Sequence, residues 1–244
     1  MRYGAIVMLA ATGSLAACSM GSDDGPGIAP TGSGTTRSYA ADGFSKIALG
    51  GSDDVDVRAG TGFSVRAEGP SDELDRLRIA RDGETLEIGR KRNTFGFGFG
   101  RGSKVKVYVT LPRLAEGNVA GSGTMAVDRI EGGSFEANIA GSGDLNIAAL
   151  TTDEAEVSIA GSGNVRAGGA VKQLQVGIAG SGSLDAAGLR VERAKVSVAG
   201  SGNVRAAVSG EAKVELLGSG DVDLGATATC KVEKMGSGSV RCGR

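Results

Sequence analysis

Histidine and tryptophan are absent from this 244-residue sequence, prolines number four, cysteines three, and aromatic side chains make up only 4% of the chain. Without histidine, a zinc centre or a neutral-pH acid–base site loses its usual side chain. Without tryptophan, a deep saccharide cleft built by ring stacking is not suggested. With 27 basic and 28 acidic residues the formal net charge is −1, so no global field draws the chain to nucleic acid. Sustained helical periodicity is also missing, which makes leucine-rich, ankyrin and tetratricopeptide arrays poor fits.

Glycine, by contrast, is abundant, at 43 residues. Much of it lies in a Gly-Ser-Gly triplet whose first glycines are Gly121, Gly141, Gly161, Gly180, Gly200, Gly218 and Gly236, at steps of 20, 20, 19, 20, 18 and 18 residues. Units of that length cannot bury an apolar face alone and must stack. Two, four and six residues before each triplet the chain is mostly apolar, as at Ala155, Val157 and Ile159, and it is apolar again afterwards at Val165 and Ala167. That alternation is the period of a half-buried strand. A further apolar point at Ile130, Leu150, Ala170 and Leu189 predicts a third side to each repeat. The expected fold is all-β, a single-stranded right-handed parallel β-helix with Gly-Ser-Gly corners, where glycine permits both the bend and the close stacking of coils.

The N-terminus combines Arg2, an apolar run through Val7–Ala10, and Leu15-Ala16-Ala17-Cys18. Residues 1–17 read as a bacterial lipoprotein signal peptide, with Cys18 as the acylated first mature residue. An ordinary signal peptide, or a short anchor with a free Cys18, is the alternative; the run is short and glycine-broken for a spanning helix. Ser19 points to the outer membrane. Residues 18–42 read as a flexible tether, and 43–244 as the head domain. Within it, 43–112 are irregular first coils and 113–244 regular ones. Strands are expected at Phe63–Ala67, Leu77–Ala80, Thr85–Ile88 and Val105–Leu111, with one helical turn at Ser71–Leu77. Cys230 and Cys242 flank the last triplet at inward positions, which in an oxidising compartment favours a disulfide closing the final coil.

Three surface features are candidates for function. Arg166, Asp185, Arg205, Asp223 and Arg241 fall at one outward position of successive repeats. This ladder of alternating charge either sets register or forms a glycan-binding strip. A second ladder, Glu116, Glu136, Glu156, Gln175, Lys195, Lys213 and Lys231, runs from acidic to basic; it is either a solvated face or a polar axis for self-association. The third is the irregular stretch Arg90-Lys91-Arg92 to Phe95, Phe97, Phe99 and Arg101, with phenylalanine and glycine alternating between basic residues. It either lays its apolar face on the solenoid or forms a basic-aromatic tip for a lipid or protein partner. Asp185 and Asp223, two coils apart, fall near the upper limit of spacing for an inverting glycosidase pair, but Arg205 lies between them in uniform coils. No catalytic residue, metal ligand or cofactor is assigned.

The Phe44-Ser45-Lys46-Ile47 strand, the Val105–Pro112 strand, the tandem Ala-Gly-Ser-Gly repeats and the Cys230/Cys242 ending resemble the head GIN domain family, which is named for adhesion. The resemblance implies a right-handed β-helix and an envelope location, and carries over no catalytic residues. The expected role is a non-catalytic, outer-membrane-tethered lipoprotein, periplasmic or surface-facing, that binds a glycan, lipid or protein surface. The alternative is a structural envelope lipoprotein that self-associates.

Overall fold

Alternation of apolar and polar residues is realised almost throughout the chain. In a computed structural model describing residues 27–91 and 103–243, it places apolar side chains inside a parallel β-solenoid of about six turns. The N-terminal elements are β1 (Pro30–Thr31), β2 (Thr36–Tyr39), β3 (Lys46–Gly51), β4 (Asp54–Ala59), β5 (Ser64–Glu68), α1 (Ser71–Arg76), β6 (Leu77–Asp82), β7 (Thr85–Arg90) and β8 (Lys106–Leu111). The regular part follows as β9 (Glu116–Gly121), β10 (Thr124–Gly141), β11 (Asp144–Gly161), β12 (Asn164–Gly180) and β13 (Ser183–Gly200). Shorter strands complete it: β14 (Asn203–Val208), β15 (Glu211–Gly218), β16 (Asp221–Asp223), β17 (Thr229–Met235) and β18 (Ser239–Arg241).

Stacking is in register at the corners and the strands that flank them, and shifts only on the third side of some coils. One inward column runs Val107, Val55, Met125, Leu145, Val165, Leu184, Val204, Val222 and Val240. All but the last are buried; each such side chain contributes roughly 1.5–3 kcal/mol on leaving water. Where a column position lacks a side chain, a neighbour fills in. Gly117 faces Met125 and the ring of Phe135.

The triplet serves two purposes at the corner. Its first glycine has φ between +106° and +132° in every coil from Gly51 to Gly236, a region costly for L side chains. From Gly121 onward a Cβ there would also overlap the carbonyl of the equivalent glycine one coil back. Ser142 N–H donates to Gly121 O at 2.8 Å and Ser162 N–H to Gly141 O at 2.8 Å, so backbone amides carry the corner ladder. A hydroxyl–hydroxyl contact joins Ser219 and Ser237 at 3.0 Å.

Four expectations need correction. The folded part begins before residue 43: β2 pairs antiparallel with β5, and Tyr39 is buried. Alternation is too brief there to stand out from its Gly- and Ser-rich surroundings. Gly50-Gly51-Ser52 before Val55-Asp56-Val57 reads in the sequence as a degenerate repeat, but its corner falls one residue later, at Gly51-Ser52-Asp53, because Gly51 aligns with Gly121. At the third side, Ala170 lies opposite Thr151 and is only half-buried; Gly169 takes the place of Leu150 and Leu189. A register shift between Ile147 and Leu150 takes up the residue missing from that coil.

Finally, the first coils are not stacked in sequence order. β3 and β4 lie between β7 and β8 on one side and β9 and β10 on the other. The chain lays down the second coil first, turns back through β5, α1 and β6 to build the terminal one, then passes over both. Ala115 N–H on Ser45 O, at 2.7 Å, marks that return. The short helix forms where sequence reading puts it, with Asp72 and Glu73 in its first turn facing the positive end of the helix dipole.

The two ends differ. At the N-terminal end, β5 and β6 pair antiparallel with β8 and β7 and cover the coil. At the other end β17 pairs only with β15, and β18 only with β16, among the described residues.

Candidate interaction surfaces

The described residues on either side of the basic-aromatic stretch lie at the corner of the terminal coil. β7 and β8 stack under β3 and β4, so Arg90 and Val105 stand where that coil turns. Asp53, with no exposed surface, accepts Arg90 Nη2 at 2.5 Å and Nε at 2.6 Å, and the Val105 N–H at 2.9 Å. Arg90 also donates to Glu73 Oε2 at 2.6 Å. Burial works against the guanidinium charge, but Asp53 and Glu73 outweigh it and raise the Arg90 pKa. Lys91 Nζ donates to Asp75 O at 2.7 Å, and Lys104 pairs with Asp54 at 2.9 Å. Arg90 therefore anchors the neck from inside. Arg92, Phe95, Phe97, Phe99 and Arg101 lie outside the described residues, as does Cys18.

A shallow groove of about 800 Å³ runs along the flank that begins at β4. Part of its lining is small or apolar: Ala126, Val127, Ile147, Ala148, Gly168 and Gly188. Charged side chains stand over it, with Asp56, Arg58 and Asp128 at one end and Arg166 and Asp185 at the other. The expected ladder lies along this flank in register, Arg166 beside Asp185, then Arg205, Asp223 and Arg241. One of its pairs closes as an ion pair, Arg241–Asp223 at 3.6 Å, and Arg166 reaches Asn146 at 3.4 Å. Tyr108 continues the column past Asp56, between Arg66 and Lys106 at 4.9 and 5.1 Å from its ring centre. Sequence reading passed over that cluster because its members come from two antiparallel strands.

The second ladder is also in register, from Glu116 to Lys231. A cavity of about 250 Å³ borders its acidic end, lined by Glu116, Glu136, Glu154 and Glu156 with Gln173 and Gln175. Lys46 extends the column beyond Glu116 and pairs with it at 2.7 Å. Burial raises the Glu116 pKa, but hydrogen bonds from Lys46 and Asn118 and the Lys46 charge together hold it below the ordinary value. Asn138 bonds Asn118 at 3.0 Å and Glu136 at 2.8 Å, spreading the hydrogen-bond network over the carboxylates. Among the described residues no group of three or more acidic, Cys or His side chains is placed to hold a metal ion, and no helix is long and apolar enough to cross a membrane.

Cys230 and Cys242 form the expected disulfide, closing the last coil with their Cα atoms 6.1 Å apart.

A family model described as "Putative auto-transporter adhesin, head GIN domain" matches residues 43–228. Among solved structures, a "putative adhesin" from Bacteroides fragilis NCTC 9343 superposes with a TM-score of 0.75 at 21% identity, covering 88% of this chain and 100% of that one. A "putative lipid binding protein" from Parabacteroides distasonis ATCC 8503 gives 0.64 at 22% identity, with 88% and 98% covered. A "putative adhesin" from Parabacteroides merdae ATCC 43184 gives 0.64 at 16% identity, with 86% and 96% covered. At these identities the likeness is one of fold. No curated protein matches the chain.

Proposed function

Since the chain belongs to the family described as putative auto-transporter adhesin, head GIN domain, we propose that it is a non-catalytic envelope protein whose solenoid flank recognises a glycan, lipid or protein surface. Cys18 is the lipid attachment point in this reading, and the outer membrane its address. The observation that carries the reading is the long groove from Asp56 to Asp185, open and lined by small and apolar residues together with charges of both signs. Its in-register rungs repeat at about 4.8 Å, which suits an extended surface better than a small enclosed substrate. The Phe-Gly stretch, held at the neck by Asp53, is a second contact element.

The test is antibody labelling of a tagged chain on intact and permeabilised cells, followed by adhesion with an Arg58→Glu/Arg166→Glu variant. Labelling of intact cells and loss of adhesion in the variant support the reading. Protection until permeabilisation removes adhesion and leaves a role inside the envelope. Release of a Cys18→Ala variant from the membrane fraction tests the anchor separately.

A further inference from the structure

The last two coils leave apolar side chains exposed. Leu217 of β15 and Val232 and Met235 of β17 are 53%, 43% and 72% exposed, three of the four exposed large hydrophobics among the described residues. Val232 continues the inward column of Val196 and Val214, both fully buried, and is the exposed end of that column among the described residues. One edge of β17 has no strand beside it among the described residues. Elsewhere exposed edges of this kind are blunted or paired; the opposite end of this solenoid is covered by β5 and β6.

We infer that the occupant is a second copy of the same chain, its β17 antiparallel to the first about a two-fold axis at Val232. The sequence of β17 is self-complementary about that residue: Lys231-Val232-Glu233. Antiparallel pairing at Val232 sets Lys231 of each copy opposite Glu233 of the other on the outward face, where opposed side chains lie about 4.5–5.5 Å apart. Neither residue has an ion pair within its own chain among the described residues, unlike Lys213 and Glu215 in the coil before, which pair at 2.6 Å. On the inward face the two Val232 side chains meet and join the two cores.

Lys234 stands in the inward column after Leu216, where a charge would oppose such a contact. Its Nζ donates to Gly238 O at 2.9 Å, which ties the ammonium to the corner and leaves the centre to Val232. The contact uses the same strand edge in both copies, so it is isologous and closes as a two-fold dimer. The contact rests on the seven residues of β17 in each copy, well short of the roughly 20–30 residues a side of a stable interface. The dimer is therefore expected to exchange at micromolar concentration.

The inference is independent of what the groove binds. Sedimentation velocity of the full chain over a concentration series tests it, with circular dichroism as a check on folding. The expected result is a monomer–dimer equilibrium that Lys231→Glu weakens at least tenfold and that Lys231→Glu/Glu233→Lys restores. A chain that stays monomeric throughout overturns the inference. So does a dimer that all three proteins form equally, because its interface then lies elsewhere.

Discussion

Arg90 and Val105, the residues bounding the irregular basic-aromatic stretch, meet on one oxygen: Oδ1 of Asp53 accepts a hydrogen bond from each. A buried carboxylate thus takes the position that glycine holds in later corners. It has room because no further triplet lies beneath it, only Arg90 and Val105.

Removing that carboxylate leaves a half-buried guanidinium short of one partner and a buried amide with none. Asp53→Ala is expected to cost about 3–5 kcal/mol, the range for breaking a buried ion pair. Urea unfolding measures it, and faster amide exchange at Val105 localises the effect. A loss under 1 kcal/mol would show that the neck is held by other contacts.

Glycine substitution separates corner from face. Gly161→Ala combines a positive φ with overlap of the Gly141 carbonyl, and is expected to destabilise by roughly 2–3 kcal/mol. Gly177→Ala, where an added methyl meets nothing within 4 Å, is expected to be neutral or up to about 1 kcal/mol stabilising. Thermal melts of the two variants in parallel decide.

Thr152 is buried at 6% exposure, and its hydroxyl finds no partner among the described residues. The same column continues as Val171, Val191 and Val208. Thr152→Val keeps the shape and removes the unpaired hydroxyl, so a gain of about 1 kcal/mol is expected. A lower denaturation midpoint in the variant would mean that the hydroxyl is satisfied after all.

Glu116 gives the fold an acid dependence. Its folded pKa lies below the ordinary value, through Lys46 and Asn118 and against burial. The unfolded chain therefore binds a proton first, so this contribution is complete above about pH 4.3 and fades as pH falls through the lower folded value. Lys46, whose pKa is raised by the same pair, contributes below its unfolded value and ceases to as pH rises through the folded one. Lys46→Met is expected to lower stability at pH 7 by at most about 1 kcal/mol, because the lysine is exposed. The Glu116 carboxyl should titrate at higher pH in the variant, which carbon-detected NMR reads directly.

The regular coils were legible because each one solves the same stacking problem and therefore repeats the same residues. Gly161 and Val165 recur as Gly180 and Leu184 for a physical reason that a single sequence displays. The charge ladders were legible for the same reason, down to which residue sits beside which. What escaped lies where the repeat is broken. Asp53 reads as one more polar turn residue until the layer beneath it is known. Gly169 hides behind Ala170, since a one-residue deletion shifts inward positions without changing composition. The order of the first coils left no local mark, because β3 can pair with β7 or β9 using identical chemistry.

That order bears on how the chain acquires its structure. A solenoid stacked in sequence order can zip from its first coil as the polypeptide emerges. Here β3 and β4 have both their neighbours downstream and gain the second only when the chain has reached Val127. The leading segment must wait, unsupported on one side, while the following stretch doubles back beneath it. Folding that begins in the uniform coils and closes the N-terminal end last avoids the delay. The least repetitive part of the molecule is then the last to become rigid.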